Sequence, residues 1–268
     1  LMAGVMVASS SPAAVSWLYY ANRLYELPLG IVSIAVASVL APAIAAGLRG
    51  GAGTGGAQSR ALEIALGLSL PAAIALAVLS AVIAGALFER GAFGPPDTAM
   101  VAAAVTAISA GLPGHSLEKV MAAVSFAHDD TRTPMVTALC GLAAAVTGAV
   151  ALSPRYGHVG IAAAIAASGW IGATLLTAVL WRRGWLVIDA AAWRRLPRIV
   201  AAAAVMGGLI AAAATLLTAF PAITGTARGR AAALSILVVA GLGLYAACLQ
   251  AFGVTSARRL LRAVGKRI

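Results

Sequence analysis

Asn22, Arg23 and Glu26 are the residues whose types and spacing carry the clearest chemistry. On a helix Glu26 lies three positions after Arg23 and four after Asn22, so the three side chains share or border one face. A guanidinium fork suits phosphate because its planar donors can bond two oxygens at once. The trio therefore points to the holding of an anion rather than to bond making. If a helix starts at Pro12, Arg23 sits roughly 16 Å along it, near the middle of a bilayer. An ionised group at that depth costs about 2.5–3.5 kcal/mol even on the lenient insertion scale, so it requires a cavity or a partner. The alternative is that Leu1 to Asn22 and Leu27 to Leu48 are separate spans joined by a hairpin at 23–26. The Ser11-Pro12 start signal, and the lack of a glycine turn in so short a link, favour the continuous helix.

The other polar residues read more simply. Glu118 and Lys119 interrupt a span near its cytoplasmic end, where Lys can snorkel, and Pro113-Gly114 should kink that span. His115, His128 and His158 are far apart and none has a second ligand at metal spacing. Cys140 and Cys248 lie inside apolar runs and read as small buried hydrophobes. In Phe126-Ala-His-Asp-Asp-Thr-Arg-Thr-Pro134, Asp130 or Thr133 is placed to cap the helix that Pro134 helps to open. No nucleophile elbow, P-loop, HExxH or cysteine pair is present, so no enzyme, metal or cofactor is expected.

The elements that must position these residues follow from composition. Of 268 residues 62% are hydrophobic and 10% charged, and mean hydropathy is +0.97, against about 45–50% apolar and about 25% charged in soluble domains. Water cannot solvate such a surface. The apolar residues form uncharged runs, Leu27 to Leu48, Ile64 to Leu87, Ala99 to Leu117, Thr133 to Pro154, Tyr156 to Trp181, Ile199 to Ala227 and Ala231 to Ala257. Each approaches or exceeds the roughly 20 residues needed to cross a bilayer. The fold class is therefore all-α, a polytopic transmembrane helical bundle. Residues 1–10 read as the end of a truncated span, with no charged leader before them, so that the N-terminal part of a longer protein is missing. The next helix should run from Pro12 to about Leu48, bending at Pro28, Gly30 and Pro42.

Net charge is +11, and its placement excludes nucleic acid, because the arginines cluster between spans without aromatic residues to stack bases. Thirteen basic residues, from Arg49 and Arg60 through Arg182, Arg183 and Arg194 to Lys266 and Arg267, fall in alternate connections, against Arg90, Arg155, Arg228 and Arg230 on the other side. The richer side, with the C-terminus, should be cytoplasmic. Residues 184–196, with Trp185 and Trp193 beside Arg194 and Arg195, read as an interfacial segment, and 254–268 as a basic amphipathic tail facing anionic membrane lipids.

Three segments, Trp17-Leu-Tyr-Tyr-Ala-Asn-Arg-Leu-Tyr-Glu-Leu-Pro-Leu-Gly30, Leu87-Phe-Glu-Arg-Gly-Ala-Phe93 and Asp130-Thr-Arg-Thr-Pro134, resemble the MurJ/MviN family of lipid II flippases in order and spacing. That family belongs to the multidrug/oligosaccharidyl-lipid/polysaccharide (MOP) exporter superfamily, and the similarity covers essentially the whole chain. It implies the MATE-like fold of fourteen helices in two six-helix lobes plus two more. On that pattern 12–183 are C-terminal lobe helices, 197–253 are the two additional helices, and the N-terminal lobe is absent. It also implies a cationic cavity for the diphosphate of a lipid-linked peptidoglycan precursor. Arg23 matches the family's cavity arginine and Glu26 its nearby acidic position, whereas Asn22 replaces the usual Asp and can still bond Arg23. Some relatives hold sodium with acidic residues in this lobe, but 133–154 and 156–181 contain no Asp or Glu, so that site is not carried over.

These readings combine into a lipid II flippase fragment of the bacterial inner membrane, working by alternating access about a midplane site. Another exporter of the superfamily, and a non-transporting scaffold for cell-wall synthesis enzymes, are the alternatives.

Overall fold

The computed structural model describes residues 12–50, 55–218 and 226–254. The span end read at 1–10, and all but the first residue of the tail read at 254–268, lie outside them. Helix α1 covers Pro12–Gly50. Pro12 opens it, where its missing N–H costs nothing, and the helix continues unbroken through Asn22, Arg23 and Glu26 and past Pro28, Gly30 and Pro42. The hairpin alternative at 23–26 therefore fails. Leu24, Tyr25 and Val32, buried on both sides of Pro28, pack the helix on its neighbours, and a break there would leave backbone groups unpaired in lipid.

Helices α2 (Gly55–Val78) and α3 (Ser80–Phe88) form one span, because backbone bonds from Leu79 to Ala75 (2.9 Å) and from Ile83 to Leu79 (2.8 Å) bridge the break at Leu79. Helices α4 (Pro95–Ser109) and α5 (Leu112–Ala127) form the next. The kink expected at Pro113-Gly114 falls instead at Ala110-Gly111. The displacement has a reason: a break just upstream leaves Pro113 in the first turn of α5, where proline is tolerated.

The run Arg132–Arg182, α6, has 51 residues and would reach about 76 Å if straight, more than twice the hydrocarbon thickness. It is two spans. Gly157 leaves the helix at φ 56 and ψ −137, a conformation open to glycine alone at little cost, and the chain folds back on itself. A Cβ on Gly160 would stand 2.7 Å from the Leu152 carbonyl oxygen, and one on Gly148 3.0 Å from the Ala164 methyl, so the two halves run antiparallel in close contact. Helices α7 (Ala190–Thr218) and α8 (Ala227–Ala251) follow. The Thr226 hydroxyl accepts the Gly229 N–H at 3.1 Å and caps α8. Residues 184–189 are irregular, whereas 190–196 form the first turns of α7.

Three buried clusters hold the bundle. One joins Leu18, Ala21 and Leu24 of α1 to Val101, Val105 and Ile108 of α4 and to Ile161 of α6. A second joins Val32 and Val36 to Leu62, Val120, Val124, Leu176 and Leu180. The third seats α7 and α8 against Leu79 through Ala203, Met206, Ile210 and Leu237. Outward, Leu139, Leu142, Ile236, Val239 and Leu242 are exposed, a surface stable only against lipid. Cys140 is exposed and Cys248 half-buried, contrary to the buried reading, because apolar runs in lipid have an outward face.

Candidate functional site

Arg23, Asn22 and Glu26 come together on the open face of α1. The Asn22 amide donates to Glu26 Oε1 at 2.6 Å, and Arg23 Nη1 stands 3.8 Å from Glu26 Oε2. The guanidinium carbon lies 5.7 Å from the centre of the Tyr19 ring, within cation–π range. The Arg23 side chain is 65% exposed and Glu26 53%. The cavity expected around Arg23 is thus not closed by the described residues. Its donors are only lightly engaged by Glu26 and stay free for an anion on this face.

The opposite face of α1 fixes this presentation. Ala21, Leu24 and Tyr25 are buried, and the Tyr25 hydroxyl pairs with His115 Nδ1 of α5 at 2.8 Å. Helix α1 thereby cannot rotate about its axis without breaking a polar bond. Nearer its start, Trp17 Nε1 donates to Asp97 at 2.9 Å and its ring lies 5.0 Å from that of His158. Tyr20 packs on Phe88 at 4.7 Å and Phe93 at 5.4 Å. Below the site, Lys119 Nζ of α5 donates to Ser33 Oγ at 2.8 Å. His115 lies against Gly169 and Glu118 against Gly172 of α6, where any Cβ would collide with them.

None of these cross-helix partners is legible from spacing. Tyr25 and His115 are 90 positions apart, and the only sequence signal was that polar residues interrupt apolar runs.

Two ionic contacts close the ends of the bundle. At one end Arg230 donates to Glu89 at 2.6 Å, and this bond holds the Glu89 carboxyl below its usual range. At the other, Asp130 accepts the Thr133 N–H at 3.0 Å, the capping role expected of it, and pairs with Arg183. The Thr133 hydroxyl and N–H, and then Arg183, hold the Asp130 carboxyl down at about 2. Trp185 stacks on His128 with ring centres 4.3 Å apart and accepts from Gln58 at 3.0 Å through its carbonyl. Among the described residues no three His, Cys, Asp or Glu side chains gather as metal ligands.

Apolar helices of span length, a lipid-facing exterior and one polar, charge-bearing helix face define a multi-pass membrane protein. Residues 1–224 match the family described as lipid II flippase MurJ. A probable lipid II flippase MurJ from Rhizobium meliloti (strain 1021) is 41% identical over 267 residues, 98% of this chain and 50% of that protein. One from Rhizobium tropici is 34% identical over 212 residues, 78% and 40% of the two chains. A solved structure, lipid II flippase MurJ in an inward closed conformation, superposes with a TM-score of 0.76 at 23% identity, covering 97% of this chain and half of that one. The chain belongs to the MurJ lipid II flippase family, and spans about half the length of the relatives it matches.

Proposed function

We propose that the chain is the C-terminal half of a lipid II flippase, a transporter that moves a lipid-linked peptidoglycan precursor across the bacterial inner membrane by alternating access. The observation that carries this reading is Arg23, held on an open helix face in a chain of this family with its fork free for a diphosphate. Glu26 and Asn22 orient the arginine and limit its hold on the substrate, so that the headgroup can leave. In this reading the other lobe covers the face of α1 that is open here, and the lobes rock about it. The basic connections and the C-terminus lie on the cytoplasmic side. The chain by itself is not expected to transport, since it spans half the length of its relatives.

The test is Arg23→Ala in the whole protein, in cells depleted of their own flippase. The substitution should abolish rescue while insertion and abundance stay normal. Full rescue would sink the role of Arg23.

A further inference from the structure

We infer that Lys119 is a second headgroup-positioning cation, a station on the cytoplasmic side of Arg23 along the same path; this rests on the function proposed above. Asn22, Glu26 and Ser33 fall on one stripe of α1, since four and then seven residues bring a helix back to nearly the same face. Lys119 reaches that stripe from α5 by its 2.8 Å bond to Ser33 Oγ. Along the axis Ser33 lies about 15 Å from Arg23, so with Arg23 near the middle of a roughly 30 Å hydrocarbon core Lys119 stands near its cytoplasmic edge. Arg23 and Lys119 are both exposed, so two cations stand at two depths where α1 opens.

Lys119 precedes the last residue of α5, Ala127, by about 12 Å of helix, and its ammonium turns sideways to α1 rather than along α5 to the surface. Its neighbour Glu118 turns onto Gly172 of α6. Among the described residues no carboxylate lies within ion-pair distance of Lys119. Ser33 donates to the Leu29 carbonyl at 2.6 Å, so its oxygen accepts only one of the three ammonium donors of Lys119 and leaves the others for a headgroup. An ammonium is a compact charge that binds phosphate without fixed geometry, which suits a station that the headgroup passes. One arginine at one depth would leave the rest of the crossing without a counter-charge.

The experiment is flipping of lipid II in proteoliposomes by the whole protein carrying Lys119→Met, Lys119→Arg, Ser33→Ala or Arg23→Ala. Lys119→Met should slow flipping by about tenfold, the size of one lost charge-assisted contact. Lys119→Arg should restore most of the rate. Ser33→Ala, which cuts the tie between α1 and α5 but keeps the charge, should cost little. A wild-type rate in Lys119→Met, or a loss in Ser33→Ala as large as in Lys119→Met, would overturn the inference, the second by making Lys119 a tether. If Arg23→Ala is inactive while Lys119→Met flips at the unsubstituted rate, only the second station falls; if the unsubstituted protein does not flip lipid II, both readings fall together.

Discussion

Arg23 illustrates how a residue's meaning changes between sequence and structure. Its cost in hydrocarbon makes it conspicuous, yet what sets its direction is Tyr25, two positions on, locked to His115. Because the two bonded groups are part-buried, Tyr25→Phe removes a hydrogen bond that water cannot replace. Unfolding free energy in mixed micelles should fall by about 0.6–2 kcal/mol, the span measured for polar contacts between membrane helices. An unchanged denaturation midpoint would count against the lock. His115 should then also lose its influence, so that His115→Phe added to Tyr25→Phe costs little more.

The element scale is governed by close approaches. Gly157 turns α6 back on itself at positive φ, and Gly157→Ala there should cost about 1–3 kcal/mol. The measurement is thermal unfolding in detergent, and a midpoint equal to that of the unsubstituted chain would contradict the tight reversal. Gly169 and Gly172 act differently: they provide the floor on which His115 and Glu118 rest. Gly169→Val should displace His115 and reproduce the loss expected of Tyr25→Phe, whereas Gly208→Ala, with open space around its Cβ position, should not destabilise. Comparable losses in both would mean that the seat for His115 is not what is being measured, since either substitution raises helix propensity.

At the scale of the whole molecule, ionic contacts clamp each end of an otherwise apolar bundle. Asp130 has a folded-state value of about 2 against an ordinary 3.8. A depressed carboxyl contributes to stability while it is ionised, so the contribution is complete above about pH 4 and is lost as pH falls towards 2. Glu89 is lowered in the same direction by Arg230, so its contribution also fades on acidification through the carboxylate range. The melting temperature should therefore drop in acid, and Arg183→Ala should remove only the smaller share of the Asp130 part, most of which the Thr133 hydroxyl and N–H supply. A profile that is level from neutral pH down to about 2 in the unsubstituted chain would remove the clamps from the account.

Much of this architecture was legible in the sequence, for a physical reason: in lipid every backbone group must be satisfied within its own segment, so uncharged runs such as Ile64 to Leu87 can only be helices. Pro12 and the capping by Asp130 were equally local, and so was the grouping of Asn22, Arg23 and Glu26, since helical spacing alone brings them together. Where helices touch was not local. Lipid is as apolar as the side chains, so hydropathy does not distinguish the face of Cys140, which points outward, from that of Leu176, which is buried. The shift of the kink from Pro113 to Gly111, the glycine seats on α6, and the bonds of Tyr25 to His115 and of Lys119 to Ser33 depend on packing between segments far apart in the chain. Only the tertiary structure decided those, because shape and polar pairing, rather than hydrophobicity, choose the neighbours of a helix in a membrane.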